Sequence, residues 1–528
     1  MKHSLSRIAL SLALASTMGA TQAMSSGAHG PHTHTGAATA TDTANSGVYY
    51  EIFVRSFADT NGDGIGDLNG VTAKLDYLHS LGVSGIWLMP INPSPSYHGY
   101  DVTDYYGIHP QYGSMADFDK LLAEAHKRHI KIIMDLVINH SSNQHPWFIA
   151  AQDPHSKYHD WYTWSNAGTD LHAISATDTP AWHQTKDGRH YLGVFTGAMP
   201  DLDYDAPAVR EEMIRLGQFW MKKGVDGFRL DAAQHIYYDF KSQRDDPAVL
   251  HKNLAWWKEF SRGIDTVNPQ AYVVGEVTRD GPEELAGYFG SLSAVFDFPL
   301  AKQLIASAGS ERDDGLGALL QRTETAYRKV SGKSGVDAPF LSNHDQERVI
   351  SQLDGNARHM RMAAAMLLTL PGHPFIYYGE ELGVQGHKPD EDLRQPMRWY
   401  RDPHGKGETS WEALSAADGP AISVQAEQQE PGSLLQFYKM LIDWRRQIPA
   451  LRDGSLRDHP LDNPRLVAWE LRDGGDRVLV MHNLSGTAQL VDNGSMRGFT
   501  KVRLRTRQDI TITDGKLQLP AYSSAVLH

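Results

Sequence analysis

GFRLDAAQH, residues 227–235, is an apolar run of strand length that closes on a carboxylate and then a histidine. Three other short segments share the design: KIIMDLVINH (131–140), YVVGEV (272–277) and PFLSNHD (339–345). Each is β-branched or aromatic through its body and ends in an acid, an amide or an imidazole. Such runs fit parallel strands buried on both faces, whose C-terminal tips bring polar groups to one common mouth. Asp231, Glu276 and Asp345 reach that mouth on three different strand ends, which suits glycoside chemistry on a barrel.

Working outward, strand-like runs at 48–57, 85–89, 131–138, 227–230, 271–276, 294–298, 340–341 and 374–379 alternate with helical stretches at 71–81, 118–129, 209–223 and 254–264. Eight such units predict an α/β fold, a (β/α)8 TIM barrel over 47–451. The connection after the third strand is far longer than a barrel loop needs and is rich in His, Trp, Asp, Gly and Thr. It is expected to form an inserted subdomain, 139–203. A last helix at 433–447 closes the barrel, and alternating runs around Gly/Asp turns predict an antiparallel β-sandwich over 452–528.

The chain has 528 residues and a formal charge of −13, with no Lys/Arg-rich arm, which argues against nucleic acid as a partner. It has no cysteine, so disulfides and thiolate metal sites are excluded. Lys2, His3 and Arg7 precede a short apolar run, 8–15, and small residues continue to Ala23. This predicts an export signal over 1–23 and a periplasmic or secreted protein; the run is too short for a membrane span. Residues 24–46, small and polar with His29, His32 and His34, read as a disordered leader. A monomer is expected.

DTNGDGIGD, residues 59–67, places side-chain oxygens at Asp59, Asn61, Asp63 and Asp67 and a carbonyl at Ile65, in the ligand order of a calcium loop. The twelfth position is Gly70 rather than Glu, so this is not an EF-hand. Hard oxygen donors favour Ca²⁺ as the cofactor.

The motifs DLVINH, GFRLDAAQH, VGEV and FLSNHD, in this order, resemble the four signature regions of the α-amylase family of glycoside hydrolases. The resemblance covers residues 47–528 and implies a catalytic barrel with an inserted B domain and a C-terminal β domain. It implies Asp231 as nucleophile, Glu276 as general acid/base and Asp345 as transition-state stabiliser. A retaining glycosidase needs two carboxyls about 5–5.5 Å apart. Arg229, two residues before Asp231 on the same strand face, is expected to keep that acid ionised, and the apolar setting of Glu276 to raise its pKa. The resemblance makes His98, Tyr100, His140, His235 and His344 substrate contacts, with Tyr100 as a stacking platform. It also implies calcium at the 59–67 loop, and a second ion that could bridge Asn139 and Asp201.

MPDLD at 199–203 starts like the neopullulanases and the group intermediate between them and true α-amylases, and RQPMRW at 394–399 resembles a barrel-rim segment common in the family's oligosaccharide-acting branch. His235 speaks for α-1,4 cleavage, although Gln234 stands where amylases usually carry Lys. Tyr97 and His98 precede the GYD turn where exo-acting relatives have an Asp, which favours internal attack. The expected function is retaining endo-hydrolysis of α-1,4-glucosidic bonds in maltooligosaccharides and starch. The alternatives are a transglycosylase or trehalose-forming isomerase, an exo-α-glucosidase, and a non-catalytic sugar-binding relative.

Overall fold

The structure is a computed structural model that describes residues 47–331, 337–402, 405–415 and 417–528. The predicted export signal and leader lie outside the described residues. Seven strands form one parallel sheet: β1 (Tyr49–Ile52), β2 (Gly85–Leu88), β3 (Lys131–Leu136), β4 (Gly227–Leu230), β5 (Tyr272–Gly275), β6 (Ala294–Val295) and β7 (Phe375–Tyr377). Their order, β6-β5-β4-β3-β2-β1-β7, follows the chain around a ring. Single parallel bridges, Phe296 to Ala338 and Phe340 to Phe375, close it. The eighth stave is therefore the 338–340 stretch, held at two points rather than along a ladder, and the closed form is the expected (β/α)8 barrel.

The barrel is filled by side chains, as small barrels are. Tyr49 stacks between Tyr272 and Phe375 at ring separations of 5.1 and 5.0 Å. Trp87, Ile133, Val274 and Phe296 join the same buried cluster. Side chains alternate along each strand, so the next inward positions toward the C-terminal end include Glu51, Asp135, Arg229 and Asp231. An aromatic floor thus carries a charged layer at the mouth. Gly227 shows how tightly the staves approach: a Cβ there would lie 1.8 Å from the Tyr272 carbonyl oxygen.

The helices begin where the sequence supplies caps. Ser114 and Asp117 form a capping box at Met115–Lys127, and Asp246 caps Pro247–Asp265, with proline in its first turn. Three boundaries differ from the sequence reading. The first strand stops at Ile52, and Val54–Phe57 forms a helical turn over the barrel rim. The 71–81 helix is two helices, Leu68–Ala73 and Leu75–Leu81, because Lys74 leaves the helical region. Phe298 opens a helix instead of ending a strand, since the Asp297 carboxylate caps the Leu300 amide and Pro299 suits a first turn.

The insertion after β3 is tied off at its base by isolated bridges from His140 to Asp201 and from Tyr162 to Leu202. It carries the helix Pro146–Ala151 and a hairpin of Trp182–Gln184 with His190–Leu192. The C-terminal region pairs a five-stranded with a three-stranded antiparallel sheet around an apolar core that includes Leu479, Met481, Leu517 and Leu519. This is the expected sandwich. The Trp469 indole donates to the Thr369 carbonyl (3.3 Å), joining it to the barrel helices.

Candidate active site

Arg229 is the hub of the barrel mouth. It sits beside Asp135 in the β3–β4 register, and its side chain is 1% exposed. Nη1 donates to Asp135 Oδ1 (2.8 Å) and Asp231 Oδ1 (2.7 Å), while Nη2 reaches Glu276 Oε2 at 2.7 Å. One cation therefore serves three carboxylates. Glu276 Oε2 also accepts from the Ala232 amide at 3.0 Å. Ala232 follows Asp231 with φ of +49°, a left-handed conformation that costs energy for a residue with a Cβ. That strained turn sends its N–H to the second acid, which ties the ends of β4 and β5 together.

Three acids for one guanidinium leave each under-compensated. Burial pushes Asp135 up to about 7 despite Arg229 beside it. Burial also raises Asp231 and Glu276; Arg229 opposes the rise in both, and the Asp345 charge adds to it. Arg229, expected to keep Asp231 ionised, lies 2.7 Å from that acid and opposes the rise that burial imposes.

Asp345 behaves oppositely. Burial raises it, but His344 and Arg394 outweigh burial and hold it well below the usual carboxylate range. Arg394 Nη2 donates to Asp345 Oδ1 (2.7 Å), and His344 Nε2 lies 3.1 Å from Oδ2. His344 Nδ1 donates to Glu51 Oε1 at 2.5 Å. Burial would lower this imidazole, yet Asp345 and Glu51 together push it up to about 9. The result is a carboxylate–imidazolium–carboxylate row, buried at Glu51 and His344 and open to the mouth at Asp345. Tyr100 links the two clusters, its hydroxyl 2.6 Å from His344 Nε2 and 3.0 Å from Asp135 Oδ2.

The remaining predicted contacts gather around this core. The Tyr100 ring is half-buried and stacks on His344 at 5.5 Å and near His98 at 6.0 Å. The His98 Nδ1 accepts from the Tyr100 amide at 3.1 Å. His140 donates from Nε2 to the Tyr100 carbonyl (3.0 Å), and His235 from Nδ1 to the Tyr238 carbonyl (3.0 Å). Burial lowers both rings to about 4, so they stand neutral. Phe195, from the insertion, lies between them at 5.3 and 5.5 Å. Gln234 is buried and donates to His235 Nε2 at 3.0 Å, while its Oε1 has no hydrogen-bond partner.

Sequence reasoning passed over Asp135, Glu51, Arg394 and Phe195 as site residues. Strand parity could have found the first two, because Asp135 and Glu51 lie on inward positions. Arg394 and Phe195 come from loops, and no local pattern marks where a loop side chain ends.

The two predicted metal positions are built differently. In the 59–67 loop, Asp59 Oδ1 accepts from the amides of Asn61 (3.0 Å) and Gly62 (2.7 Å), and Oδ2 from Gly64 (2.8 Å). Asn61 Oδ1 and Asp63 Oδ1 accept from the amides of Asp63 and Ile65. Asp67 takes the Thr60 amide at 2.8 Å and caps the next helix through Gly70 (2.7 Å). The donor set is all oxygen and suits a hard cation. Among the described residues, however, no three acidic, histidine or cysteine side chains converge to hold a metal ion. A cation here therefore depends on the Asn61 amide and Ile65 carbonyl oxygens as well. At the second position Asn139 donates directly to Asp201 Oδ1 (3.1 Å), and Asp201 Oδ2 accepts from the Val194 amide (2.8 Å). Burial and nearby Asp239 raise Asp201 far above its ordinary range.

The alpha-amylase catalytic-domain family matches residues 51–454. The chain belongs to that family. The C-terminal domain family of the alpha-amylase SusG matches residues 466–526. "Alpha-amylase 3" of Dictyoglomus thermophilum is 42% identical over 443 residues, covering 83% of this chain and 84% of that protein. A 4-alpha-glucanotransferase of Thermotoga maritima is 33% identical, over 85% of this chain and 98% of its own length. The crystal structure of an alpha-amylase from H. orenii superimposes with a TM-score of 0.84 at 42% identity, covering 92% of this chain and 99% of that one. Proteins named oligo-1,6-glucosidase and trehalose synthase also match. This alpha-amylase-family chain is thus an amylase-type glycoside hydrolase, and its barrel mouth brings Asp231, Glu276 and Asp345 into one hydrogen-bonded assembly.

Proposed function

We propose that the protein is a retaining endo-hydrolase of α-1,4-glucosidic bonds in maltooligosaccharides and starch. The observation that carries this reading is the shared guanidinium: Arg229 holds Asp231 and Glu276 by adjacent nitrogens at 2.7 Å each. Glu276 also rests on the amide next to Asp231. Two carboxyls so tethered are near neighbours, in keeping with the ~5–5.5 Å pair of a retaining enzyme rather than the wider inverting pair that leaves room for water.

In this reading Asp345 stays anionic, and its charge favours keeping one proton on the Asp231–Glu276 pair. In the same reading Asp231 is the ionised partner of the pair and Glu276 keeps the proton. Glu276 protonates the glycosidic oxygen as Asp231 attacks the anomeric carbon. The C–O bond to the leaving chain breaks and a glycosyl–Asp231 ester forms. Glu276, now ionised, takes a proton from water, and that water displaces Asp231 with the configuration restored. Asp345, fixed by His344 and Arg394, is placed to grip sugar hydroxyls as the ring flattens toward the oxocarbenium-like state. His98, His140 and His235, neutral or nearly so at pH 7, are suited to hydrogen-bond sugar hydroxyls.

The Tyr97–His98 pair supports internal attack because it puts no carboxylate where an exo-enzyme clamps a chain end. We propose Ca²⁺ at the 59–67 loop as a structural ion that would draw on the Asn61 amide and Ile65 carbonyl oxygens beside the loop's carboxylates. The same ion suits Asn139 and Asp201 if the Asn139 oxygen turns inward. The basic and apolar pattern of residues 1–23 supports export to the periplasm or medium as part of this proposal.

A product time course on maltoheptaose and on an end-blocked maltoheptaoside tests the action pattern. Early mid-length products from both substrates are expected. Glucose as sole product with the blocked substrate untouched would make it an exo-glucosidase. Products longer than seven units, or trehalose from maltose, would place it with its transferring relatives.

A further inference from the structure

A second surface on the insertion has features the catalytic mouth does not use. A groove of about 520 Å³ is lined by Thr169, Asp170, Ile174, Trp182, Phe240 and Ser242. That volume lies within the ~300–1,000 Å³ usual for small-ligand sites. The Trp182 and Phe240 rings lie 6.5 Å apart with 33° between their planes, and both are half-buried. Ile174 is 50% exposed and Leu171, in the same turn, 39%, which is unusual exposure for large aliphatic side chains.

The platform is held in place from both sides. Trp182 stands on the insertion hairpin, paired in register with Leu192. Phe240 is bridged to Ser175, and the Ala176 amide donates to the Asp239 carbonyl at 2.9 Å. The segment that ends at Phe240 begins at His235, whose ring stacks on Tyr238 at 5.1 Å. Five residues of chain separate His235 from Phe240, which bounds their separation at ~17 Å. The groove therefore lies no farther than that from a histidine at the edge of the catalytic mouth.

We propose that this groove is a distal subsite that binds a glucan chain beyond the bonds nearest the cut. The inference rests on the α-glucan reading above. Aromatic faces offer an apolar surface to the C–H face of a sugar ring, and Thr169, Asp170 and Ser242 supply rim acceptors and hydroxyls for its edge. The seven lining residues, Ala173 among them, include no cation, which disfavours an anionic ligand. A protein partner would need an interface clearing roughly 1,000 Å², whereas this is a concavity of a few side chains. A long glucan is the occupant that fits both the chemistry and the short distance from the mouth.

The test uses the full chain with Trp182→Ala and, separately, Ile174→Ser, a surface change that spares the hairpin. In an Asp231→Asn background, retardation in an amylose-containing native gel is expected to fall about fivefold in each variant and to recover in Trp182→Phe. With Asp231 intact, the ratio of kcat/KM on amylose to that on maltotriose should fall by a similar factor. An unchanged ratio with unchanged retardation overturns the subsite. So does a proportional loss on both substrates with a lowered melting temperature, which marks a packing role. Loss of a concentration-dependent dimer in Ile174→Ser would assign the face to a second copy of the chain and also overturn it. Failure of Asp231→Asn to stop turnover would instead strike the catalytic assignment, leaving the amylose-gel result to judge the groove.

Discussion

Two regions of this molecule are crowded with carboxylates, and they solve the same problem in opposite ways. At the barrel mouth Asp135, Asp231 and Glu276 come from three strands and share one buried guanidinium. In the 59–67 loop Asp59, Asp63 and Asp67 come from nine consecutive residues, and backbone amides answer them. Amide donors are supplied by the local chain and fix a shape. A guanidinium shared among buried acids compensates none of them fully, so proton affinities rise and a proton becomes available for chemistry. The mouth is built to react, and the loop is built to hold.

The sharpest way to break this contrast is to remove a charge from each region. Asp231→Asn should lower kcat by ~10⁴ or more with little change in melting temperature, because shape survives while the nucleophile is lost. Steady-state kinetics beside a thermal melt measures both, and activity near the parent would refute the assignment. Arg229→Ala should be the most destabilising change in the mouth, about 3–5 kcal/mol, since it strands three buried acids. Urea unfolding reads that loss; a cost under 1 kcal/mol would mean water, not Arg229, compensates the acids.

Glu51→Gln sharpens the comparison within the mouth. His344 is raised from 6.5 to about 9 by two flanking carboxylates. A group raised on folding contributes stability that is complete below the unfolded value, here near 6.5, and that is lost as pH rises through 9. The parent's melting temperature should therefore decline between pH 7 and 9. In Glu51→Gln that decline should be smaller and end at lower pH, and the alkaline limb of activity should move to lower pH. The groups facing His344 are Glu51, Asp345, Tyr100 and, one bond further, Asp135; a variant matching the parent at every pH would show that Asp345 alone sets the imidazole.

The smallest effect belongs to the loop. Added Ca²⁺ should raise the melting temperature, by about 2.7 kcal/mol of stability at a hundredfold excess over Kd. Asp63→Ala should abolish that rise with only a modest change in kcat. Identical melts in Ca²⁺ and chelator would mean that the amides alone hold the loop.

The same contrast explains what could be read from the sequence. The loop's ligand order, the strand runs and their terminal acids are local, so DTNGDGIGD and GFRLDAAQH announce themselves. Asp231 and Arg229 share a face by simple alternation. That Arg229 is divided three ways is not local: it follows from Asp135 lying opposite it on β3 and from Glu276 crossing to the Ala232 amide. The burial that opposes Arg229 at Asp231 is likewise not legible locally. The eighth stave was read correctly from PFL although only two bridges hold it. Phe298 was misplaced because an Asp cap and a proline outweigh the β preference of the preceding run. Arg394 and Phe195 reach the site from loops whose course depends on packing far along the chain.

The most direct test of the central claim is the anomeric form of the first products, followed by NMR as maltoheptaose is cut. A pair of carboxyls clasped by Arg229 and acting through a glycosyl–Asp231 intermediate predicts α-anomers first, mutarotating later to the equilibrium mixture. Initial β-anomers would mean that water attacks directly from the opposite face, and Asp231 would not be the nucleophile.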